Sequence, residues 1–370
     1  MTRSVPPAHD EVEVSIFGPG RGEGVLLHLG AGDWITVDSC IERRPKQGST
    51  HPVLNYLDEI GVDAASAIRC VVATHAHDDH TAGIGELYRR SADAQFVKSA
   101  AFTSTEFYAA VEADESIRRR LRQSVRREFA AVEEEALRRG RFADGRAPIR
   151  QAHAQRVLWS RSATAAAPAA AVIALSPSDF SVHRAQTLVA SGSARVGDRQ
   201  RLSAGDPNEY SVALWVEVGD ARILLGADLT TGPRGSGWLA VVEEFAPEQR
   251  ADLYKVAHHG SPNADLGEGW ETLLEPAPVG LLSPFRAGRI VRPTSSDIAR
   301  LSTQTGALYS SARPAPPAPS NAVVETRRAL RGVVTSIREP DGAVGQARAR
   351  RLPDHSTWSV DLFPPARKLA

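Results

Sequence analysis

Apolar and polar positions alternate from Glu11 to Phe17 (EVEVSIF), which predicts a strand with Val12, Val14 and Ile16 on one face. The turn Gly18-Pro19-Gly20-Arg21-Gly22-Glu23-Gly24 leads into a second apolar run, VLLHLG, and Ala31-Gly32-Asp33 leads into a third, Trp34 to Cys40. Strands joined by turns this short predict an antiparallel meander. The glycine turn is no phosphate loop, because a strand follows it rather than a helix opened by Gly-Lys-Ser/Thr. Helical spacing replaces alternation at 50–60, with Val53, Leu54, Leu57 and Ile60 on one stripe and Gly61 as the stop. The run Ile68 to Ala73 is a strand again.

Residues 104–147 are charged, alanine-rich and helical in period, with Glu and Arg spaced for mutual support; they predict an inserted helical pair. Ala163 to Ala171 is an alanine-rich linker, Ala171 to Leu175 a strand, and 184–206 a polar surface loop. Asn208 to Val218 and Ala221 to Asp228 predict a hairpin turning at Gly219-Asp220. Further strands follow at Ala251 to Ala257 and Leu281 to Ser283, then a helix from about Pro293–Asp297 to Leu301. A proline-rich loop covers Arg313 to Ser320, and a last hairpin in 322–352 turns at Pro340-Asp341-Gly342. This organisation predicts one domain over 11–352 with the insertion at 104–147, flanked by tails at 1–10 and 353–370.

Composition narrows the picture. A chain of 370 residues, 42% hydrophobic, can bury a large core. Forty-four basic residues balance forty-four acidic ones, so net charge gives no general attraction to polyanions. Cys40 and Cys70 both lie in apolar strand runs, as buried reduced thiols would. The start, MTRSVPPAHDEVEV, has no apolar signal region and no run approaches about eighteen apolar residues, so the expectation is a soluble cytoplasmic chain without a membrane span.

The chemistry concentrates where the strand Ile68 to Ala73 ends on Thr74-His75-Ala76-His77-Asp78-Asp79-His80. Packed cores avoid such clusters, because each imidazole or carboxylate removed from water needs a partner, and a metal ion supplies one. In extended backbone His75, His77 and Asp79 project to one side, and His80 swings back as the helix TAGIGELYRR begins. Asp38 and Asp228 each end a strand, as acids near the metal or as turn and capping residues. His258 and His259 follow a strand beside a glycine turn, and Arg286, Arg289 and Arg292 form a basic loop.

Together, His75-Ala76-His77-Asp78-Asp79-His80 fits the HxHxDH signature of the metallo-β-lactamase fold superfamily, with Asp38 resembling its first-motif aspartate and Asp228 its bridging aspartate. GPGRGEGVLLHLG, NEYSVALWVEVGDARILLGAD and YKVAHHGS more narrowly resemble the metallo-hydrolase domain of ComEC-type competence proteins. The likeness covers roughly 11–100 and 205–310. It implies an α+β chain folded as an αββα four-layer sandwich, with a dinuclear metal site where the strands end. Glu23 stands where that subgroup usually has Asp, Val291-Arg292-Pro293 where it has Gly-His-Pro, and neither His153 nor His183 sits in a third-motif context.

With no cysteine ligand, an imidazole and carboxylate site suits two divalent ions, zinc or manganese above all. The expected arrangement puts His75 and His77 on one ion, Asp79 and His80 on the other and Asp228 between them, with His258 or His259 a further ligand or a proton donor. Asp79, His258 and His259 are thus the candidate catalytic residues, and the three loop arginines the candidate contacts to a substrate phosphate. The resemblance implies a phosphodiesterase or nuclease acting on nucleic acid or nucleotide. Hydrolysis of a carboxylic ester, lactone or β-lactam is the alternative, as is a weakly catalytic, metal-bound interaction protein using 104–147 as its partner surface.

Overall fold

The structure is a computed structural model that describes residues 2–19, 22–44, 48–102, 123–193, 207–287, 290–314, 344–352 and 355–370. The predicted meander is present as β1 (Val12–Gly18), β2 (Gly24–Leu29) and β3 (Trp34–Asp38), followed by a small hairpin of β4 (Glu42–Arg44) and β5 (Gly48–Thr50). After helices α1 (Pro52–Glu59) and α2 (Ala64–Ala67), strand β6 (Ile68–Ala73) pairs parallel to β3. Helices α3 (Asp78–Thr81) and α4 (Ile84–Arg90) then lead to β7 (Gln95–Ser99), and α5 (Gln123–Arg139) to β8 (Ile149–Ala152), both strands again parallel.

The second sheet opens with β9 (Arg156–Arg161) and β10 (Ala170–Ala174), continues after α6 (Asp179–Ser193) with the hairpin β11 (Leu214–Val218) and β12 (Ala221–Leu225), and turns parallel at β13 (Ala251–Lys255). Helix α7 (Gly237–Glu244) precedes β13, and α8 (Gly269–Thr272) precedes β14 (Leu274–Leu282). A second small hairpin, β15 (Phe285–Ala287) and β16 (Ile290–Arg292), leads to α9 (Ser295–Ser302) and β17 (Ala307–Ser310). Thr294 and Asp297 cap α9 reciprocally: each side chain accepts the other's backbone N–H, at 3.2 and 2.8 Å. Strands β18 (Gly345–Arg351) and β19 (Ser359–Phe363) extend the first sheet past β1, and β20 (Arg367–Lys368) closes the edge of the second.

The layer order follows from alternation. On β12, Ile223 and Leu225 point into a core shared by the two sheets, while Leu224 points outward. Val14, Ile16, Val37 and Val72 meet that shared core from the first sheet. Outside the first sheet, Phe17, Val71 and Phe96 pack on Tyr56, Leu57, Leu87 and Phe129 of α1, α4 and α5. Outside the second, Trp215 and Tyr254 pack on Trp238, Val241 and Leu301 of α7 and α9. The chain is therefore an αββα four-layer sandwich.

Three expectations need correction. Residues 2–10 are no free tail, because Arg350 donates to the Val5 carbonyl at 2.7 Å and Arg348 to that of Arg3 at 3.0 Å. Residues 355–370 supply two sheet strands rather than a tail, since an edge strand needs only a few residues once the ladder beside it exists. The expected loop at 184–206 is helical as far as Ser193; 194–206 lie outside the described residues, as do the first half of the insertion and the turn at Pro340-Asp341-Gly342.

Two buried histidines are held neutral by the fold. His28 donates from Nδ1 to the Glu11 carbonyl at 2.7 Å and accepts the Gly32 N–H at Nε2; His51 accepts the Leu54 N–H at Nδ1, capping α1. A second proton would face a backbone N–H in both, and burial lowers each pKa from 6.5 to about 4. The unfolded chain binds protons that the folded one refuses, so stability is full above pH about 6.5 and falls towards pH 4, by up to about 3 kcal/mol per residue. Melting curves between pH 7 and 4 should show that decline, with a shallower slope in His28→Gln.

Candidate metal centre

The same end of both sheets gathers the polar residues. Strands β3 and β6 run parallel, so Asp38 and the segment from Thr74 emerge side by side. Strands β12, β13 and β14 also run parallel, delivering Asp228, His258-His259 and Ser283 just past their ends. Glu23 joins them because Gly24 pairs with Asp38 across the β2–β3 ladder, and the Glu23 N–H donates to the Asp79 carbonyl at 2.8 Å. Gly22 must be glycine here: its φ is +110° and a Cβ would lie 2.1 Å from the Asp79 oxygen. Asp38, Ala227, His258 and His259 all adopt left-handed backbone conformations, at φ from 43° to 58°. Each costs on the order of 1–3 kcal/mol, and strain of this kind gathers at functional sites.

One donor from each of Asp79, His80, Asp228 and His259 falls within a 4.8 Å cluster. Nε2 of His80 lies 3.3 Å from Asp228 Oδ2, and Nε2 of His259 lies 3.6 Å from both Asp79 Oδ2 and Asp228 Oδ2. Yet His80 Nε2, His259 Nε2 and Asp228 Oδ1 are buried without a hydrogen-bond partner. Buried polar atoms are rarely left so, and four converging nitrogen and oxygen donors fit a divalent ion such as zinc. A second group, Asp38, His75 and His80, lies beside the first.

The surroundings aim these donors. His80 Nδ1 donates to Asp38 Oδ2 at 2.7 Å, and Asp38 also accepts the Thr74 N–H at 2.8 Å and the Thr74 hydroxyl at 2.7 Å. His259 Nδ1 sits 2.9 Å from the Ser283 carbonyl, which can only accept, so Nδ1 carries a proton and Nε2 is the nitrogen that faces the cluster. Phe285 stacks on that ring, with centroids 5.0 Å apart. Behind it, the fully buried Lys255 ammonium pairs with Glu23 and donates to the Ala227 carbonyl at 2.9 Å. Glu23 Oε2 in turn lies 3.5 Å from His259 Nδ1.

Charges in the cluster oppose one another. Burial would lower the His80 pKa, but the Asp228 and Asp38 carboxylates raise it well above the usual imidazole range. Burial would raise that of Asp228, but the His80 and His259 cations hold it well below. Asp79 is likewise held low against burial by its contact with His259 and the charge of His80. His75 goes the other way: burial lowers it, and repulsion from His80 and His77 adds to the effect. A neutral His75 is the form that can ligate.

Of the residues singled out in the sequence, Asp79, His80, Asp228 and His259 meet in one cluster, and His75 Nε2 lies beside it, 3.0 Å from His77 Nδ1. His258 stands at the rim, 22% exposed, its Nε2 3.9 Å from Asp228 Oδ2 and 3.2 Å from the Asn208 amide nitrogen. Arg292 turns to Ser261 at 3.2 Å and to Asp297 at 3.3 Å, while Arg286 is exposed on the hairpin that carries Phe285. Arg289 lies outside the described residues. His153 contacts the neighbouring Ala154 carbonyl, and His183 is exposed on α6; neither enters the cluster. Sequence reading noted Glu23 only as a departure and passed over Thr74, Lys255, Asn208 and Ser283. A lysine inside the apolar run ADLYKVA is the one signal that could have pointed inward.

An αββα sandwich with an imidazole–carboxylate cluster at the ends of its parallel strands defines the class of molecule. No family model matches the chain, and no curated protein matches it in sequence. Among solved structures it is similar to the metallo-β-lactamase fold protein YhfI from Bacillus subtilis, at 13% identity and a TM-score of 0.35 over 74% of this chain and 85% of that one. It is also similar to the metallo-β-lactamase SMB-1, at 14% identity and a TM-score of 0.33 over 73% of this chain and 86% of that one. For CmlA, a diiron β-hydroxylase from Streptomyces venezuelae, identity is 14% and the TM-score 0.34 over 68% of this chain and 35% of that longer one. The layer order rests on the strands and cores of this chain, not on these similarities.

Asp38→Asn keeps the shape of the side chain but replaces one acceptor with a donor. If the cluster holds a metal through His80, chelator competition should show affinity lower by about 10- to 100-fold, the usual effect of losing an outer partner of a ligating histidine.

Proposed function

We propose that the chain is a metal-dependent hydrolase whose ligands are His75, His77, Asp79, His80, Asp228 and His259, holding two divalent ions, zinc or manganese. The observation that carries this reading is the four-donor cluster with its three buried, unpartnered atoms. Such ions, when bound, lower the pKa of a shared water and stabilise both attacking and leaving oxygens. The chain's own residues do the rest. Asp38 and the Ser283 carbonyl fix which nitrogen of His80 and His259 faces inward. Asp228 and His259 are buried, so bulk water reaches the cluster from the open side, where Asp79 and His258 are partly exposed. His258, at that rim, is placed to give a proton to a departing oxygen.

The substrate in this reading is a phosphodiester, in nucleic acid or nucleotide. Phe285 stacks on His259, and Arg286, next to it on the β15–β16 hairpin, is exposed, which supports Arg286 as a contact to substrate phosphate. Arg292 is half-buried and tied to Asp297, which suits it to holding the turn at Ser261. Bis-p-nitrophenyl phosphate and labelled single-stranded DNA, assayed with manganese and zinc, should be cleaved by the wild type and not by Asp79→Ala. Turnover of carboxylic esters, lactones or β-lactams in their place would overturn the phosphodiester assignment. Absence of all turnover, with a protein partner still bound by Asp79→Ala, would overturn the hydrolase reading.

A further inference from the structure

A groove of about 600 Å³ lies where the outermost strands of the two sheets, β8 and β9, meet; Gln95, Arg146, Arg150, Gln151 and Arg156 line it, and none of them belongs to the metal cluster. Alternation along β8 puts Arg150 on the same face as Ala152, which is buried in the core between the sheets. The Arg150 side chain therefore enters the open edge of the sandwich, where it donates to the Leu158 carbonyl of β9 at 2.8 Å. Burial lowers the pKa of its guanidinium, and the like charge of Arg156 lowers it further. Asp144 pairs with Arg146 at 2.5 Å, but among the described residues no carboxylate pairs with Arg150 or Arg156.

Two half-buried cations that repel each other cost free energy unless something of opposite charge comes between them. Among the described residues nothing of that kind pairs with either arginine. Guanidinium groups present paired N–H donors that match phosphate oxygens, and arginine is only weakly hydrated, so such an anion is the ligand best suited to the vacancy in charge. Gln95 buttresses the wall by donating to the Ala147 carbonyl at 2.7 Å, which fixes the segment between Arg146 and β8.

We propose that this groove is an anion site for a phosphate-bearing ligand, separate from the metal centre and independent of the hydrolase reading. The ligand is either a free phosphorylated small molecule or the backbone phosphates of a nucleic-acid strand, and one experiment distinguishes the two. Calorimetric titration of the full chain with inorganic pyrophosphate, and fluorescence titration with labelled single-stranded DNA, are run in excess chelator so that no bound metal contributes. Arg156→Ala is the main variant; Arg146→Ala, at an exposed position, is the second, with circular dichroism checking the fold of both.

The site predicts saturable binding of at least one probe, weakened about tenfold or more by Arg156→Ala, the scale of a lost hydrogen bond to a charged group. Pyrophosphate binding lost in the variants supports a small ligand. Binding of the strand alone, salt-dependent and lost in the variants, supports a nucleic-acid backbone. No saturable binding of either probe, or binding that both variants leave unchanged, overturns the proposal.

Discussion

On the proposed reading, Asp228→Asn strips the centre of its metal and abolishes hydrolysis while the sandwich stays folded. Asp228 is the residue on which both halves of the cluster depend: its Oδ2 lies 3.3 Å from His80 Nε2 and 3.6 Å from His259 Nε2, and its Oδ1 has no partner. The amide keeps the shape of the side chain but loses the charge that offsets two imidazoles and any bound cation. Even outer partners of metal ligands are worth about 10- to 100-fold in affinity or activity, so loss of a central carboxylate should exceed about 100-fold in both. Chelator competition and the rate on bis-p-nitrophenyl phosphate read the two effects separately. A rate within a few-fold of wild type, at equal metal content, would mean that Asp228 is a capping residue and no more. Far-ultraviolet circular dichroism should be unchanged, because the strand it follows is held by Ile223, Leu224 and Leu225 in the two cores.

The largest stability effect is expected behind the metal centre. Lys255→Met leaves the Glu23 carboxylate buried with its ammonium partner gone, and leaves the left-handed Ala227 carbonyl with the His258 N–H as its remaining donor. Breaking a buried pair from one side costs about 3–5 kcal/mol. Burial alone would lower the Lys255 pKa, but the neighbouring Glu23 and Asp228 carboxylates raise it, so the lysine is charged at neutral pH. Removing both partners, in Glu23→Leu with Lys255→Met, should recover most of that loss, since apolar side chains of similar volume carry no desolvation cost. Urea unfolding of the single and double variants, in chelator, gives the coupling directly. A single variant as stable as wild type would show that the pair contributes nothing. Because Glu23 also lies 3.5 Å from His259 Nδ1, the double variant should fold well yet bind metal more weakly.

How far the chain could be read in advance depended on how local each feature is. Alternation of Val12, Val14 and Ile16, and of Ile223 and Leu225, disclosed the strands and the face they bury, because a period of two is set by neighbouring residues alone. Asp79 and His80 stood out as a cluster, but Asp79 was expected in extended chain, whereas α3 begins at Asp78, so a helical turn and not strand alternation sets the direction of both. Asp38, Asp228 and His259 could be suspected from their place at strand ends, but their meeting depends on the parallel pairings of β3 with β6 and β12 with β13.

Glu23 with Lys255 was out of reach, since 232 positions separate two residues joined only by tertiary structure. Arg292 was misleading in a more local way. Its partner Asp297 belongs to the Thr294 capping box, a signature readable within four residues, and attention to that box would have given the arginine a structural partner. The terminal strand β19 and helix α6 stayed hidden because short or polar segments take their structure from the sheet and helices they pack on.

The most direct test is elemental analysis of the full chain after loading with zinc or manganese and removal of loose ions, beside the same measurement on His259→Ala. The four-donor cluster predicts at least about one firmly held ion per chain, rising to about two when the His75 and His77 pair is also filled, and a sharp loss in the variant. A wild-type chain that keeps no ion, or a His259→Ala chain that keeps them all, would contradict the metal centre and with it the hydrolase.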